Sequence, residues 1–247
     1  MEAKDREKLK KYIAIIFLIM IVICALVIVV FYQINGEINM PYKISKIIYV
    51  SSAEGYEKEG MTDTKWNMSI SQLNDIYIFI EKNSEENVDK LIESVKIENI
   101  KITKSPKVGN VVSYMPGAGT STLFKKEDRF AIKDSLEFKG SKENNLGLLQ
   151  INSKGGNVVF RVSNENIGEY VSNEISEIKH DGTLLKLLED FNYDDIKFKM
   201  SFDLIIKVDG INYKTTISLD LPIDDIRENG TTTHEKENIE NIIFKRV

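Results

Sequence analysis

The stretch FKMSFDLIIKVDGINYKTTISLDL, residues 198–221, carries the clearest structural signal in this 247-residue chain. Two runs of alternating apolar and polar residues flank the pair Asp209-Gly210. An Asp-Gly pair between such runs is the strongest short-range sign of a β-hairpin, because a type I′ turn needs positive φ at both central residues. The sequence therefore predicts a hairpin whose turn residues are Asp209 and Gly210.

The two-residue loop also sets the register of this hairpin, and the register sorts its side chains onto two faces. Asp203 lies opposite Thr216, and Lys199 lies opposite Asp220, on a face that is nearly all polar. The other face is nearly all apolar, from Phe198, Met200, Phe202, Leu204, Ile206 and Val208 to Ile211, Tyr213, Thr215, Ile217, Leu219 and Leu221. A slip of one residue would exchange the two faces. We therefore expect an antiparallel sheet with Phe202 in the core and Asp203 on a wet face, where its replacement would be silent.

The rest of the chain after residue 43 also has a strand-like pattern. Further strands are predicted at Ile44–Val50, Lys65–Ile70, Asp75–Glu81, Val95–Thr103, Asn110–Met115, Phe130–Phe138, Leu146–Ile151 and Asn157–Ser163. DIYIFIE, residues 75–81, is apolar on both faces and is expected in the centre of a sheet, whereas VKIENIKI, residues 95–102, breaks phase and indicates a bulge or an edge. Many short strands separated by turn residues predict an all-β, antiparallel, β-sandwich-like domain.

Helices and loops occupy the remaining segments. Asp181 or Thr183 is expected to cap a helix over Leu184–Phe191, and Ser84 to begin a short helix that runs through Ile92. Residues 151–157 read as a turn, residues 228–238 as a solvated loop, and Ile239–Val247 as a last strand-like run. A subdivision of the domain is most plausible near residues 140–145, so one sandwich and two smaller ones are both open.

A long apolar run near the N-terminus, YIAIIFLIMIVICALVIVVFY (residues 12–32), predicts a transmembrane helix over 12–33. Ile13 to Phe31 contains no charged residue, Gly or Pro across 19 residues. These rise about 28 Å in a helix, close to the roughly 30 Å of a bilayer's hydrocarbon core. Tyr12 and Tyr32 bracket the run, at the depth that amphipathic rings prefer. Tyr12, Ile13, Phe31 and Tyr32 are therefore the predicted ends of a membrane anchor in contact with the lipid bilayer.

The alternative for this run is a leader peptide that is cut away. The apolar region of a secretory leader is usually about 7 to 15 residues long and ends in a small-x-small cleavage site. No such site lies between Phe31 and Tyr42, and Ile23 is too large to precede the lipidated cysteine of a lipoprotein at Cys24. An uncleaved anchor is the preferred interpretation.

Basic residues near the run predict its orientation. Residues 1–11 contain Lys4, Arg6, Lys8, Lys10 and Lys11, whereas the other side has no Lys or Arg before Lys43. The positive-inside rule therefore predicts a cytoplasmic tail at 1–11, a linker at 34–43 and an extracytoplasmic β domain at 44–247. The expected location is the cell membrane, with a single pass and an extracellular C-terminal domain.

Composition limits the function of that domain. The chain carries a net charge of −5 and its first eleven residues +2, so the remainder carries −7. Nucleic-acid binding is not expected, since it needs a basic face. The one cysteine, Cys24, lies in the apolar run, so no disulfide is expected in the domain. Lys far exceeds Arg, and Asn and Ile are abundant, which indicates an AT-rich, bacterial genome.

Two motif-like stretches are better explained by chance. PGAGTST, residues 116–122, lacks both the spacing and the lysine of a phosphate-binding loop, and a flexible loop is the better interpretation. Ser176 and Lys179 match the S-x-x-K of penicillin-recognising enzymes, with Lys214-Thr215-Thr216 as an approximate third motif. The S-x-N motif that should follow is missing, and Lys214 lies inside the predicted hairpin.

Metal and ligand sites are equally weak in the sequence. His180 and His234 are the two histidines and have no cysteine nearby, whereas zinc prefers three or four N or S ligands. Asp194-Asp195 and Asp224-Asp225 lack the ligand spacing of a calcium loop and read as solvated charge. Trp66, Tyr77 and Phe79 suggest a ligand platform, although aromatic side chains on strands are usually core. No catalytic residue, cofactor or metal is therefore predicted.

Two functions remain open. The leading hypothesis is a membrane-tethered binding or scaffolding domain, whose partner is another envelope protein or a surface ligand in a cell-surface complex. The rival is a cell-envelope hydrolase whose site residues are scattered along the sequence. A pocket with convergent polar groups and perturbed carboxylates would favour the enzyme, and an exposed apolar patch would favour binding.

Overall fold

A computed structural model describes residues 3–62, 65–84, 89–117, 123–141, 149–172, 183–222 and 226–247. It contains two α-helices, α1 (Ala3–Asn35) and α2 (Ile226–Asn229). The strands are β1 (Tyr42–Glu57), β2 (Trp66–Lys82), β3 (Ile92–Lys104), β4 (Asn110–Tyr114), β5 (Ser135–Gly140), β6 (Gln150–Ile151), β7 (Gly156–Ser172), β8 (Phe198–Val208), β9 (Ile211–Leu221), β10 (Thr232–Glu235) and β11 (Lys245–Arg246). Single 3₁₀ turns occur at Asp128–Phe130, Leu184–Leu187, Tyr193–Asp195 and Ile239–Asn241.

The strands form two packed sheets, which confirms the predicted antiparallel, β-sandwich-like fold. Sheet 1 has five strands in the order β10-β1-β2-β7-β4, and sheet 2 has six in the order β11-β9-β8-β3-β5-β6. Every neighbouring pair is antiparallel except β5 and β6. Strands from before and after residues 140–145 pair in both sheets, β2 with β7 and β3 with β8. The position of β2 in the middle of sheet 1 is the predicted one.

The β8–β9 hairpin has the predicted register, with Val208 opposite Ile211 and Phe198 opposite Leu221. Asp209 and Gly210 have φ values of 48° and 75°. The apolar face of the hairpin enters the core between the sheets. Phe202 is fully buried there, and its ring meets Phe160 of sheet 1 edge to face at 5.1 Å between centroids.

Several predicted strand limits were wrong, because polar residues interrupt the apolar alternation without ending the strand. Lys65–Ile70 and Asp75–Glu81 are parts of one strand, β2, and β7 continues nine residues beyond Ser163 to Ser172. Gln72, Asn74 and Asn164 are the polar residues concerned, and all three are fully buried. Phe130–Phe138 begins instead with a 3₁₀ turn, so β5 starts at Ser135. The bulge predicted within residues 95–102 lies between Glu98 and Lys101.

The predicted helices were also corrected. Leu184–Phe191 forms only one 3₁₀ turn, which ends at an extended Leu188, and Asp190 has φ 56°. Ile92 begins β3 rather than ending a helix, and residues 85–88 lie outside the described part of the chain. The stretch 228–238 contains β10, which pairs with β1. Ile239–Val247 is a 3₁₀ turn followed by the two-residue β11.

The sandwich has two distinct ends. The end near residues 36–42 and 244–247, where α1 meets the sheets, is called the junction end, and the opposite end is called the far end. The long strands of sheet 1 extend past sheet 2 at the far end. A second apolar cluster covers them there, comprising Ala53, Ile70, Ile167, Leu185, Leu188, Ile196 and Ile226.

Helix α1 is long and apolar enough to cross a membrane. Within its span Lys10–Asn35, the most apolar window of 18 residues has a mean hydropathy of 3.7, and none of that window is buried in the protein. Length and composition of this kind fit an anchor and a signal sequence alike. The limits predicted for tail, span, linker and domain stay predictions.

Candidate functional site

An open cavity in the sandwich arises where one segment changes sheets. Residues 130–132 lie along the edge of β4 in sheet 1, since the Ile132 amide donates to the Ser113 carbonyl and the Met115 amide to the Phe130 carbonyl, both at 2.8 Å. Three residues later the same segment has become β5, which pairs with β3 in sheet 2 from Ser135 onwards. This crossing leaves the last part of β3 and the first part of β4 without a neighbour among the described residues.

The unpaired main-chain groups on these edges follow from the register. Val208 and Ile211 flank a two-residue turn and form a hydrogen-bonded pair. Hydrogen-bonded pairs recur at every second residue of an antiparallel ladder, so Met200, eight residues before Val208, also directs its main-chain groups to β9. Ile102 lies opposite Met200 and therefore turns its N–H and C=O away from β8, toward the open side of β3. On β4, Ser113 bonds to Ile132, so Val111 directs its main-chain groups to the same open side.

Between these two edges lies a cavity of about 640 Å³, which we call the edge groove. Its lining comes from residues 96 and 98–102 of β3, residues 111–113 of β4 and residues 132–135. The floor is apolar, because Ile100, Ile102, Val111 and Ile132 are half-buried there and pack against the main core.

The rim of the edge groove is charged. Lys96 and Glu98 pair with each other at 2.6 Å. Lys101 and Lys133 are exposed, and neither ammonium group has an ion-pair partner in the described part of the chain. Asp134 is the remaining rim carboxylate. The uncompensated rim charge of the described residues is therefore positive.

At the junction end, the C-terminal segment is bonded to the end of α1. The Arg246 amide donates to the Tyr32 hydroxyl at 2.8 Å, and the Lys245 ammonium donates to the Gln33 side-chain oxygen at 2.5 Å. The Glu37 amide donates to the Phe244 carbonyl at 2.7 Å. The helix is thus joined to sheet 2 through β11 as well as through the chain that leads into β1.

The outer face of sheet 1 has a largely buried ion pair. Arg161 donates through Nε and Nη2 to the two oxygens of Asp75 at 2.6 and 3.0 Å, and both side chains are 16% exposed. Burial alone would lower the pKa of Arg161, but Asp75 outweighs it and raises that pKa. Phe124 lies over the guanidinium group at 4.7 Å. The pair holds the segment after β4 against the sheet, and its carboxylate is engaged by Arg161.

Asp203 does not lie on a wet surface, so the predicted exposure of this residue was wrong. The residue is only 8% exposed, because Asn99, Lys214 and Thr216 surround its carboxylate. They donate to it at 2.8, 2.7 and 2.6 Å. Burial raises the pKa of Asp203, but the bonds from Lys214, Thr216 and Asn99 outweigh burial and hold that pKa below its ordinary value.

The far end has a second cavity, of about 520 Å³, between the end of β7 and residues 187–196. Its carboxylates include Glu169 and Asp195, which pair with Lys58 at 2.6 Å and Lys107 at 2.7 Å. Asp194 pairs with Lys197. In the described part of the chain, no group of three or more His, Cys, Asp or Glu side chains is placed to hold a metal ion.

The three aromatic residues considered as a ligand platform do not come together. Tyr77 packs in a small cluster with Phe124 on the outer face of sheet 1, and Lys46 lies 5.6 Å from the Phe79 ring. Trp66 begins the same strand, about 36 Å from Tyr77 at the usual rise of a strand. His234 lies on β10 with its ring stacked on Tyr49, at 6.3 Å between centroids.

Other predicted positions lie outside the described residues. These are residues 118–122 of the PGAGTST stretch, Ser176, Lys179, His180, Asp181 and Asp224-Asp225. The part of the approximate penicillin motif that is described, Lys214-Thr215-Thr216, lies on β9, where Lys214 and Thr216 serve Asp203.

Comparison with known proteins identifies no relative: no family model, curated protein or solved structure matches the chain. The class of protein is therefore defined by the fold alone, as a β-sandwich-like domain behind one apolar N-terminal helix.

Sequence reasoning missed the edge groove. The phase break at residues 97–100 marked β3 as a bulge or an edge, which was a partial signal. The change of sheets between Ile132 and Ser135 had none, since FAIKDSLEF alternates as though it were one strand.

Proposed function

We propose that this protein is a membrane-anchored, extracytoplasmic binding or scaffolding module of a bacterial cell envelope. The observation that carries the proposal is the edge groove, in which two unpaired strand edges flank an apolar floor. An open edge is a template for pairing with another chain, and proteins normally cover or shorten such edges. The other outer strands, β10, β6 and β11, have only four, two and two residues.

The junction supports a scaffolding role. Two hydrogen bonds at the last turns of α1 and one at Glu37, just after it, join this part of the chain to residues 244–246, so the domain is held on its anchor rather than on a free linker. The longest strands of sheet 1 have 17 residues and therefore place the far end about 55 Å from the junction. A domain fixed in this way would present its groove at a set height above a bilayer.

The charge state of the carboxylates supports binding rather than acid–base chemistry. Among the described residues, the carboxyl groups with clearly displaced pKa values are Glu93, Glu137, Asp194 and Asp203, and in each case the pKa is lowered. Lysine partners contribute to every one of these shifts. A general acid at neutral pH needs a raised pKa instead.

Topology is tested first, by labelling intact cells with a membrane-impermeant thiol reagent. A cysteine at the exposed position Ser141 should react, and one at Glu2 should not, in a Cys24→Ser background. Labelling at position 2 but not at position 141 would overturn the extracytoplasmic location of the β domain. Recovery of a mature chain that begins after residue 32 would favour the leader peptide over the anchor.

Binding is tested by photo-crosslinking of the full-length protein in its native membrane. A photoreactive residue at Thr103, beside the edge groove, should form an adduct with a second protein, and one at Asp220 on the polar face of the hairpin should not. The crosslinked peptide is then identified by mass spectrometry. Absence of adducts from every surface position would reject the binding role.

A further inference from the structure

We propose that the edge groove accepts an extended, acidic segment of a partner protein as an added antiparallel strand. This inference rests on the binding role proposed above and specifies the chemistry of the partner. Three features of the groove support it: the direction of its unpaired main-chain groups, the spacing of its apolar floor and the sign of its rim charge.

The main-chain groups require an extended backbone. Ile102 directs its N–H and C=O into the groove, and Ile100 lies on the same side because it precedes Ile102 by two residues past the bulge. A strand added beside them would continue the line of β5, which pairs with β3 only as far as Glu98 and Ser135. Main-chain bonding of this kind gives affinity without a particular side-chain sequence.

The floor selects the side chains that point inward. Directly opposed residues of an antiparallel pair place their side chains on the same face, so residues opposite Ile100 and Ile102 would point toward Val111 and Ile132. Apolar side chains at every second position would cover that floor. About four extended residues, roughly 13 Å, match the length of β3 that is left unpaired.

The rim selects the side chains that point outward. Lys101 and Lys133 lack a carboxylate partner in the described chain, whereas Lys96 already pairs with Glu98. Outward residues of the added strand would lie beside Lys101, so acidic residues are favoured there and lysines are repelled. The partner segment therefore alternates apolar and acidic residues.

The experiment uses the full-length protein in nanodiscs of neutral lipid and a fluorescent, end-capped, eight-residue peptide of alternating Val and Glu. We expect saturable binding by fluorescence anisotropy. Methylation of every Val amide should lower the affinity at least about tenfold, because these amides face Ile100 and Ile102. Methylation of every Glu amide should leave it unchanged, because those amides point away from β3.

Variants of the protein test the same contacts from the other side. Lys101→Glu should weaken binding about fivefold, a size typical of rim charges, and Lys154→Glu, the same change at an exposed site at the junction end, should leave it unchanged. Ile102→Pro removes an N–H that β8 does not use and should abolish binding. The folding of the Ile102→Pro variant is checked by thermal melting. If this variant does not fold, the methylated peptides still test the main-chain bonding to Ile102 in the wild-type protein.

Several results would overturn the inference. These are no binding at millimolar peptide, equal binding of the two methylated peptides, equal binding of a Val-Lys peptide, or self-association of the protein that Ile102→Pro abolishes. If crosslinks to a partner then form at positions away from Thr103, the protein still binds a partner, but through a surface other than the edge groove. Absence of any crosslink would reject the binding role itself.

Discussion

The ammonium group of Lys214 lies 2.7 Å from the carboxylate of Asp203, across the β8–β9 hairpin and on the outer face of sheet 2. Only 11% of the Asp203 side chain is exposed, compared with 71% of the Asp220 side chain, although both residues lie on the same face of the same hairpin. The bulge in β3 explains the difference. Asn99 sits at that bulge with φ 53° and directs its amide onto Asp203.

Asp203→Ser is therefore expected to destabilise the domain by about 1.5 to 3 kcal/mol, since three donors lose a charged acceptor. Asp220→Ser, whose ion pair with Lys199 is exposed, should change stability by no more than about 0.5 kcal/mol. Both free energies of unfolding can be measured in urea through the single tryptophan, Trp66. Equal effects of the two changes would show that Asp203 is not specially held.

The contribution of Asp203 should also depend on pH. Its pKa is lower in the folded protein than the ordinary 3.8, so the stabilisation is fully present above that value and is lost as the pH falls through the folded-state pKa. The stability difference between the wild type and Asp203→Asn should therefore be constant from about pH 5 to 7 and shrink below about pH 4. A difference that grows in acid would contradict this assignment.

The case of Asp203 shows what sequence patterns convey and what they omit. Alternation and the Asp-Gly turn predicted the pairing of Asp203 with Thr216 correctly, because both signals are local. Burial of Asp203 depends on Asn99, more than a hundred residues earlier, and no local pattern reports that contact. The same limit hid the edge groove, which depends on the change of sheets between Ile132 and Ser135.

Interrupted alternation caused the other main errors. Gln72 and Asn74 stop the apolar pattern of β2, so the sequence predicted two strands where the protein has one. The apolar alternation does stop there, but main-chain pairing with β1 continues through Gln72 and Asn74, and pairing with β7 resumes at Gln72 after a bulge that follows Ile70.

Another prediction concerns the Asp75–Arg161 pair. Asp75→Asn leaves the Arg161 guanidinium largely buried without its carboxylate, and about 2 to 4 kcal/mol of stability should be lost. Glu81→Gln provides a matched control on the same strand, because Glu81 pairs with Lys43 at 3.2 Å and both side chains are about half exposed. The control should change stability by no more than about 0.5 kcal/mol in the same urea measurement. Similar losses in both variants would argue that burial does not strengthen the first pair.

A separate prediction concerns Gln72, which is fully buried and whose side-chain N and O atoms have no hydrogen-bond partner among the described residues. Gln72→Met has nearly the same shape and removes both unpaired groups. It should leave stability unchanged or raise it by about 1 to 3 kcal/mol. A marked loss would instead indicate ordered water that satisfies the amide.

The control for Gln72 is its neighbour Asn74, which is equally buried but bonded. Asn74 accepts from the Ser51 hydroxyl at 2.8 Å and donates to the Val162 carbonyl at 3.1 Å. Asn74→Leu leaves both partners unsatisfied and should cost about 2 to 4 kcal/mol. If Gln72→Met raises the free energy of unfolding and Asn74→Leu lowers it, the stability effect depends on whether the buried amide is hydrogen-bonded, not on its polarity alone.

The last prediction concerns Gly36, where α1 meets the C-terminal segment. Gly36 has φ 69°, and a Cβ atom there would collide with the carbonyl oxygen of Phe244. That carbonyl accepts the Glu37 amide, so Gly36→Ala should separate the segment 244–247 from the helix end and break the contact between Tyr32 and Arg246.

Gly210→Ala is the matched control, because its φ is 75° but nothing lies within 4 Å of the added atom. Both variants are destabilised by about 1 kcal/mol, because alanine is placed in a left-handed conformation. Only Gly36→Ala also introduces the collision with Phe244. Hydrogen exchange of the full-length protein, measured by mass spectrometry, should therefore be at least about tenfold faster at residues 244–247 in Gly36→Ala and unchanged there in Gly210→Ala. Unchanged exchange in both variants would mean that the helix and the domain are not coupled through β11, and the domain would then move on its anchor as on a free linker.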